Sequence, residues 1–126
     1  MMMYLTVEEV LTLHEKMVKR TGGSHGLRDR NLLESAVYSA ISSFGDSEAY
    51  PTLTEKAARL MFALTNNHAF VDGNKRIGVF VMLMTLRLNG VTMKFTQPEL
   101  IDFGLSVADG SMNYDDVLSW INKHKA

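Results

Sequence analysis

The segment from about Asn74 to Leu88 carries apolar side chains on nearly every face of the helix that its pattern predicts. Its longest apolar run, Ile77 to Leu86, is interrupted by Thr85 and is too short to span a bilayer. Such a helix avoids water only if other parts of the chain surround it. The sequence therefore predicts an all-α fold, a compact bundle of about six helices around a buried central helix.

Further segments have the one-sided apolar spacing of helices in such a bundle. The first follows a capping-box pattern at Thr6 and ends before Gly22, and His14 on its apolar face is expected to be hydrogen-bonded and half-buried. The others are expected from about Asp29 to Ile41, from a cap at Thr54 to about Asn67, from a cap at Thr96 past Val107, and from about Tyr114 to Lys123. Nothing marks a repeat or a second domain, so we expect residues 1–126 to form a single domain.

Two stretches between these helices have different patterns. Residues 42–53 contain Gly45, Pro51 and several polar side chains, which predicts an exposed loop or a short flap. The segment Val91 to Phe95 alternates weakly between apolar and polar residues. We expect it to be one short extended piece, for which the sequence offers no evident partner.

Composition argues against several kinds of protein. The absence of cysteine removes disulfides, thiolate nucleophiles and cysteine-based zinc sites, and it agrees with a reducing compartment, for which we expect the cytoplasm. Thirteen basic and 14 acidic residues give a net charge of −1, so no overall field would hold the chain on a nucleic acid or an anionic membrane. The first residues also lack the pattern of a signal peptide. We therefore expect no direct binding to nucleic acid or membrane, and any recognition of phosphate must be local.

The nine residues from His68 to Arg76, HAFVDGNKR, stand directly before the central helix. A helix that begins near Gly73 leaves its first N–H groups without internal partners, and its dipole gives that end partial positive charge. Lys75 and Arg76 add two full positive charges there, which is unfavourable unless an anion such as phosphate binds. A second interpretation stays open, in which Asp72 is the N-cap or a first-turn acid of the helix and accepts its N–H bonds, and the two cations form a solvated rim.

These nine residues resemble the motif H-x-F-x-[DN]-[AG]-N-K-R of the death-on-curing (Doc) branch of the Fic fold. The similarity covers nearly the whole chain, including the first helix, the turn at residues 26–29 (GLRD), the 42–53 region and Asn89-Gly90 after the motif helix. Chemically distinct residues match at fixed spacing, which makes the motif specific.

The resemblance implies a bacterial toxin of a toxin–antitoxin pair that uses ATP to phosphorylate a threonine or serine hydroxyl of a target protein. In the Doc branch the implied target is elongation factor Tu, whose modification arrests translation. The Fic majority instead transfers AMP, and it has a glycine where this chain has Lys75 and a second arginine where this chain has Val79. A lysine fills space and adds a point charge, and the missing arginine removes a bidentate phosphate clamp. Phosphoryl transfer is therefore the favoured interpretation, with an AMP transferase and a non-catalytic module that binds phosphate or a partner as alternatives.

Residue roles follow from matching the motif. His68 is the candidate general base, because imidazole titrates near neutral pH, although it can also serve merely to cap the third helix. Phe70 is expected to be buried beneath the loop. Asp72 is the candidate ligand of Mg²⁺, because hard cations bind carboxylate oxygens, and N-capping is its alternative role.

The remaining motif residues are the candidate nucleotide-binding and phosphate-binding group. Gly73 would let phosphate approach the backbone, and Asn74 would either donate an N–H to it or brace the loop. Lys75 and Arg76 would neutralise charge on the transferring group of ATP, and we count both among the candidate catalytic residues.

The resemblance also implies partners. Fic proteins often restrain themselves with a helix that carries [ST]-x-x-x-E-[GN], and this chain has no such hexapeptide. A separate antitoxin is therefore expected, with a disordered tail that folds as a helix in a groove of the toxin. The 42–53 flap is expected to dock the target protein by backbone pairing.

Overall fold

The computed structural model describes residues 2–41, 43–44 and 47–126. Within these residues the elements are α1 (Val7–Thr21), α2 (Arg30–Ser39), β1 (Ser43–Phe44), β2 (Ser47–Glu48), α3 (Leu53–Asn67), α4 (Asn74–Leu88), α5 (Gln97–Ala108) and α6 (Tyr114–Lys123). The two strands form one antiparallel pair of two residues each. The all-α fold is thus confirmed, and α4 and α6 have the predicted limits.

Side-chain caps define where most of the helices begin. Reciprocal capping boxes start α1, α3, α5 and α6, and Asp29 caps α2 through the N–H groups of Asn31 and Leu32. The predicted cap of α3 at Thr54 is wrong. Thr52 is the cap, because Glu55 stands three residues after it and the two residues satisfy each other's backbone N–H groups. Helix α2 ends at Ser39, which is before its predicted end at about Ile41.

The centre of the bundle is the pair formed by α3 and α4. A Cβ added at Gly78 of α4 would lie 2.5 Å from Thr65 Oγ1 and 3.1 Å from the Met61 carbonyl oxygen, so glycine allows the two helices to approach closely. The core residues of α1 and α2 pack on one side of this pair, and those of α5 and α6 pack on the other. The enclosure of α4 is incomplete, because Phe80 and Leu88 are 48% and 41% exposed.

The region before α3 is anchored by a buried lysine. Lys56 is 1% exposed, and its Nζ donates to the Tyr50 carbonyl oxygen and lies 3.4 Å from Glu48 Oε2. The predicted flap at 42–53 therefore consists of the short strand pair followed by a segment held to α3. Residues 42, 45 and 46 of that prediction lie outside the described residues.

The predicted extended piece at 91–95 finds its partner in the last residues of the chain. Met93 forms an isolated antiparallel bridge with Lys125, and Lys94 N donates to the His124 carbonyl oxygen at 2.7 Å. Sequence spacing gave no indication of this pairing, because the two segments are joined only after α5 and α6 fold. None of the helices described is long and apolar enough to cross a membrane.

Candidate active site

His68 stands at the end of α3 in a backbone conformation that few residues adopt. It is the C-cap, with φ 53° and ψ 45°, and it is the single non-glycine residue with positive φ in the described part of the chain. Left-handed backbone of this kind costs an L-residue about 1–2 kcal/mol. The residue is exposed, and it lines a cavity of about 300 Å³ between the end of α3 and the start of α4. The backbone of His68 therefore caps α3, while its imidazole remains accessible for chemistry.

Asp72 lines the same cavity and lies just before α4. Its Oδ1 accepts a hydrogen bond from Gly73 N at 2.8 Å, and its Oδ2 accepts one from Ser24 N at 3.0 Å. Arg76 Nη2 is 3.9 Å from the same Oδ2. The N-cap of α4 is Gly73, so the alternative in which Asp72 is the N-cap or a first-turn residue is wrong, although Asp72 does accept the N–H of Gly73.

The Asp72 carboxylate fits the needs of a magnesium ion that arrives with a nucleotide. Each of its oxygens accepts one close N–H group and keeps a further lone pair, and its side chain is 47% exposed. No cluster of three or more potential metal-binding side chains occurs in residues 2–41, 43–44 and 47–126. A single carboxylate is sufficient where phosphate oxygens and water complete the octahedron.

Asp72 should also make the stability of the fold depend measurably on pH. Hydrogen bonds from Ser24 and Gly73, helped by the charge of Arg76, hold the pKa of the Asp72 carboxyl below its ordinary value. The stabilisation is therefore present above the ordinary aspartate pKa and is lost as the pH falls through the lowered native pKa. We expect Asp72→Asn to unfold at lower urea concentration than wild type at neutral pH, with a difference that shrinks in acid.

The matched control for this titration is Asp102→Asn, which changes an exposed aspartate of α5. We expect Asp102→Asn to run parallel to wild type throughout the pH series. If the gap between Asp72→Asn and wild type stays constant into acid, the carboxylate does not have the role assigned here.

Gly73 is required by both backbone conformation and packing. Its φ is +79°, and a Cβ there would lie 2.8 Å from Met17 Cε and 3.4 Å from His14 Nε2. Because glycine has no side chain, the N-terminus of α4 has no side-chain cap. Its first-turn N–H groups therefore remain available to an anion in the cavity.

Asn74 uses its side chain inside the loop. Its Oδ1 accepts from Phe70 N and its Nδ2 donates to the Phe70 carbonyl oxygen, both at 3.0 Å. This is the bracing role left open by the sequence, so the part of Asn74 that can face phosphate is its backbone N–H. Phe70 itself is buried as predicted, with 2% of its surface exposed.

The two cations of the motif have different surroundings. Arg76 Nη1 donates to Thr21 Oγ1 at 2.6 Å and to the Gly22 carbonyl oxygen at 2.9 Å, which ties α4 to the end of α1. The methylene groups of Lys75 lie over Gly104 of α5, and its ammonium has no ion-pair partner within the described ranges. Both residues are partly buried, so they do not form a solvated rim. Of these two cations, Lys75 is therefore the one whose charge is available to interact with a ligand.

Two residues outside the motif hold its loop, and sequence analysis did not assign either of them to the site. His14 is 3% exposed, its ring stacks on Phe70 with centroids 3.8 Å apart, and its Nε2 lies 2.7 Å from the Asp72 carbonyl oxygen. Because a carbonyl oxygen accepts, Nε2 must carry the proton. Arg28 Nε donates to the His68 carbonyl oxygen at 2.7 Å. The prediction that His14 is a satisfied histidine is confirmed, although it is more deeply buried than expected.

Together these features define a helical domain in which an exposed histidine and a helix N-terminus without a side-chain cap line one cavity. The Fic/DOC family model matches residues 4–86. Protein kinase doc of Escherichia phage P1 is 30% identical over 122 residues, which cover 97% of this chain and 95% of that protein. Toxin Doc of Mycolicibacterium smegmatis is 37% identical over 110 residues, which cover 87% and 78% respectively. The chain belongs to the Fic/DOC family.

Proposed function

We propose that this protein is the toxin of a toxin–antitoxin pair and that it transfers the γ-phosphate of ATP to a threonine or serine hydroxyl of a target protein. The target we favour is elongation factor Tu in the cytoplasm, where its modification would arrest translation. The observation that carries the proposal is that His68, the uncapped start of α4 and Lys75 line one cavity. The names of the two relatives, a protein kinase and a toxin, point in the same direction.

In the proposed reaction the His68 imidazole takes the proton of the target hydroxyl. The hydroxyl oxygen then bonds to the γ-phosphorus as the bond to the β–γ bridging oxygen breaks, and ADP leaves. The first-turn N–H groups of α4 and the Lys75 ammonium stabilise the charge on the transferring group. Asp72 would hold Mg²⁺, which supplies further charge neutralisation on the nucleotide phosphates.

Two features of the groove that adjoins the cavity favour phosphoryl transfer over AMP transfer. The Lys75 stem fills the space beside Gly104, whereas a glycine at position 75 would leave room for a diphosphate to approach the backbone. Val79, three residues after Arg76, contributes an apolar side chain to the adjoining groove where a second guanidinium would clamp phosphate. The AMP transferase remains the first alternative, and a non-catalytic phosphate-binding or partner-binding module is the second.

The products of the reaction test the proposal directly. Purified protein is incubated with ATP, Mg²⁺ and elongation factor Tu, and the target is examined by intact-mass and peptide mass spectrometry. We expect a mass gain of one phosphate on a threonine or serine and formation of ADP. A gain of one AMP with release of pyrophosphate would support the first alternative instead.

The antitoxin is proposed to bind the apolar groove between α1 and α4. This groove has a volume of about 480 Å³ and is lined by Leu13, Lys16, Met17, Lys19, Arg20 and Phe80. Its apolar floor beside three cations suits an amphipathic helix with acidic residues along one edge. A disordered acidic tail that folds on this groove would restrain the toxin from outside.

Substitution of Phe80 tests this partner site. Phe80 lines the groove and is exposed, so Phe80→Glu should leave the fold intact and prevent co-purification with the proposed antitoxin when the two are expressed together. Tyr38→Glu, at another exposed aromatic residue, is the matched control and should still co-purify. If Phe80→Glu still binds the antitoxin, the antitoxin binds a different surface of the protein.

A further inference from the structure

The loop that carries the histidine is paired to a distant turn by backbone hydrogen bonds. Val71 N donates to the Gly26 carbonyl oxygen at 3.0 Å, and the N–H groups of Arg28 and Asp29 both donate to the Ala69 carbonyl oxygen, at 2.7 and 3.0 Å. These bonds fix the loop from Ala69 onward. They leave the preceding peptide unit, which contains the His68 carbonyl, without a backbone partner from this turn.

The Arg28 side chain supplies that missing restraint. Its Nε donates to the His68 carbonyl oxygen at 2.7 Å, a short bond from a charged donor. The direction of a carbonyl follows the ψ angle of its own residue, so this bond holds His68 at ψ 45°. His68 is also the residue whose left-handed conformation is unfavourable and would relax without support. The backbone conformation in turn sets the direction in which the imidazole leaves the chain.

We infer that Arg28 is a positioning residue that aims the His68 imidazole at the target hydroxyl through its bond to the His68 carbonyl oxygen. This inference rests on the proposed function, in which His68 is the general base. Arg28 is absent from the residues that line the cavity, so its effect is exerted through the loop. Arg30, two residues later, provides a contrast, because it pairs with Glu8 and Glu34 on the surface of the helices.

A matched pair of substitutions isolates the hydrogen bond. Methionine and glutamine both reproduce the length of the arginine side chain as far as Nε. Arg28→Gln keeps an N–H donor at that position without the guanidinium charge, and Arg28→Met removes the donor. Arg30→Met serves as the control, because it removes an arginine of the same segment that does not contact the His68 loop.

The kinetic result distinguishes positioning from nucleotide binding. We expect Arg28→Met to lower kcat by about tenfold or more and to change the KM for ATP by less than about twofold, because misplacement of a reacting group affects the chemical step. Arg28→Gln should recover kcat to within about threefold of wild type, since it restores the donor. Arg30→Met should behave as wild type does.

An NMR measurement tests the same inference without using activity. The ¹³Cα and ¹³Cβ shifts of His68 report its backbone conformation, and its imidazole signals report the surroundings of the ring. We expect both sets to change in Arg28→Met and to stay near the wild-type positions in Arg28→Gln and Arg30→Met. Unchanged His68 shifts in Arg28→Met would overturn the inference.

The two proposals fail in different ways. If the wild-type protein transfers phosphate and Arg28→Met has the same kcat as Arg30→Met, the positioning role is wrong while the proposed function stands. If the wild type transfers nothing, the proposed function is wrong, and the His68 shifts still decide whether Arg28 holds the backbone of that residue.

Discussion

Replacing His68 with glycine should greatly slow transfer and at the same time stabilise the protein. Glycine adopts φ 53° and ψ 45° without the steric cost that an L-residue meets, so we expect the free energy of unfolding to rise by about 0.5–1 kcal/mol. The loss of the general base should lower the rate of transfer by a factor on the order of 100 to 10,000. Urea unfolding and initial rates with labelled ATP measure the two effects on the same preparation.

His68→Ala is the matched control for this prediction. Alanine also removes the imidazole but keeps a Cβ in the left-handed conformation, so it should be as inactive as glycine without the gain in stability. The opposite signs of the two effects in His68→Gly distinguish a functional histidine from one that is retained to cap α3. Full transfer activity in either variant would remove His68 from the mechanism.

The second large effect is expected at Lys75. Lys75→Met keeps the aliphatic stem that packs over Gly104 and removes only the ammonium, which has no ion-pair partner in the described ranges of the chain. We expect the rate of transfer to fall by about 100-fold, because a charge aimed at the transferring group is lost. The free energy of unfolding should change by no more than about 0.5 kcal/mol.

Lys94→Met, at an exposed position away from the cavity, is the control for removal of a lysine charge. It should transfer phosphate at the wild-type rate. A wild-type rate for Lys75→Met as well would mean that the backbone N–H groups of α4 hold the phosphates without help from this side chain.

Local sequence patterns predicted the helices well because their signals lie within a few residues of each other. Capping pairs at Thr6 and Thr96 and the apolar spacing of α6 depend on neighbours one helical turn apart. The error at the start of α3 was of the same local kind, since two threonines stand close together and only Thr52 has an acid three residues later.

The sequence predicted which residues form the candidate site, but it predicted less of how they are arranged. The motif gave His68 and the cations, yet the left-handed backbone of His68 depends on how the loop after α3 is held. Two side chains support that loop by binding its carbonyl oxygens. Arg28 lies 40 residues along the chain from the carbonyl that it binds, and His14 lies 58 residues from its own. Such pairings become visible only after α1 and the turn before α2 pack against the loop.

The different surroundings of Lys75 and Arg76 also could not be predicted from the sequence. The two residues are neighbours in one helical turn, and periodicity places them on adjacent faces of α4. Their roles separate because α1 ends beside one face and α5 crosses the other, which engages the Arg76 guanidinium with Thr21 and Gly22 and leaves the Lys75 ammonium for a ligand.

Transfer from ATP labelled at either the γ- or the α-phosphate tests the central claim most directly. Wild-type protein and His68→Ala are incubated with elongation factor Tu and each labelled nucleotide, and the label on the target is counted. The account predicts label from the γ-position alone, and only with the wild-type protein. Label from the α-position would contradict it in favour of AMP transfer, and label from neither would leave a module that binds without catalysing.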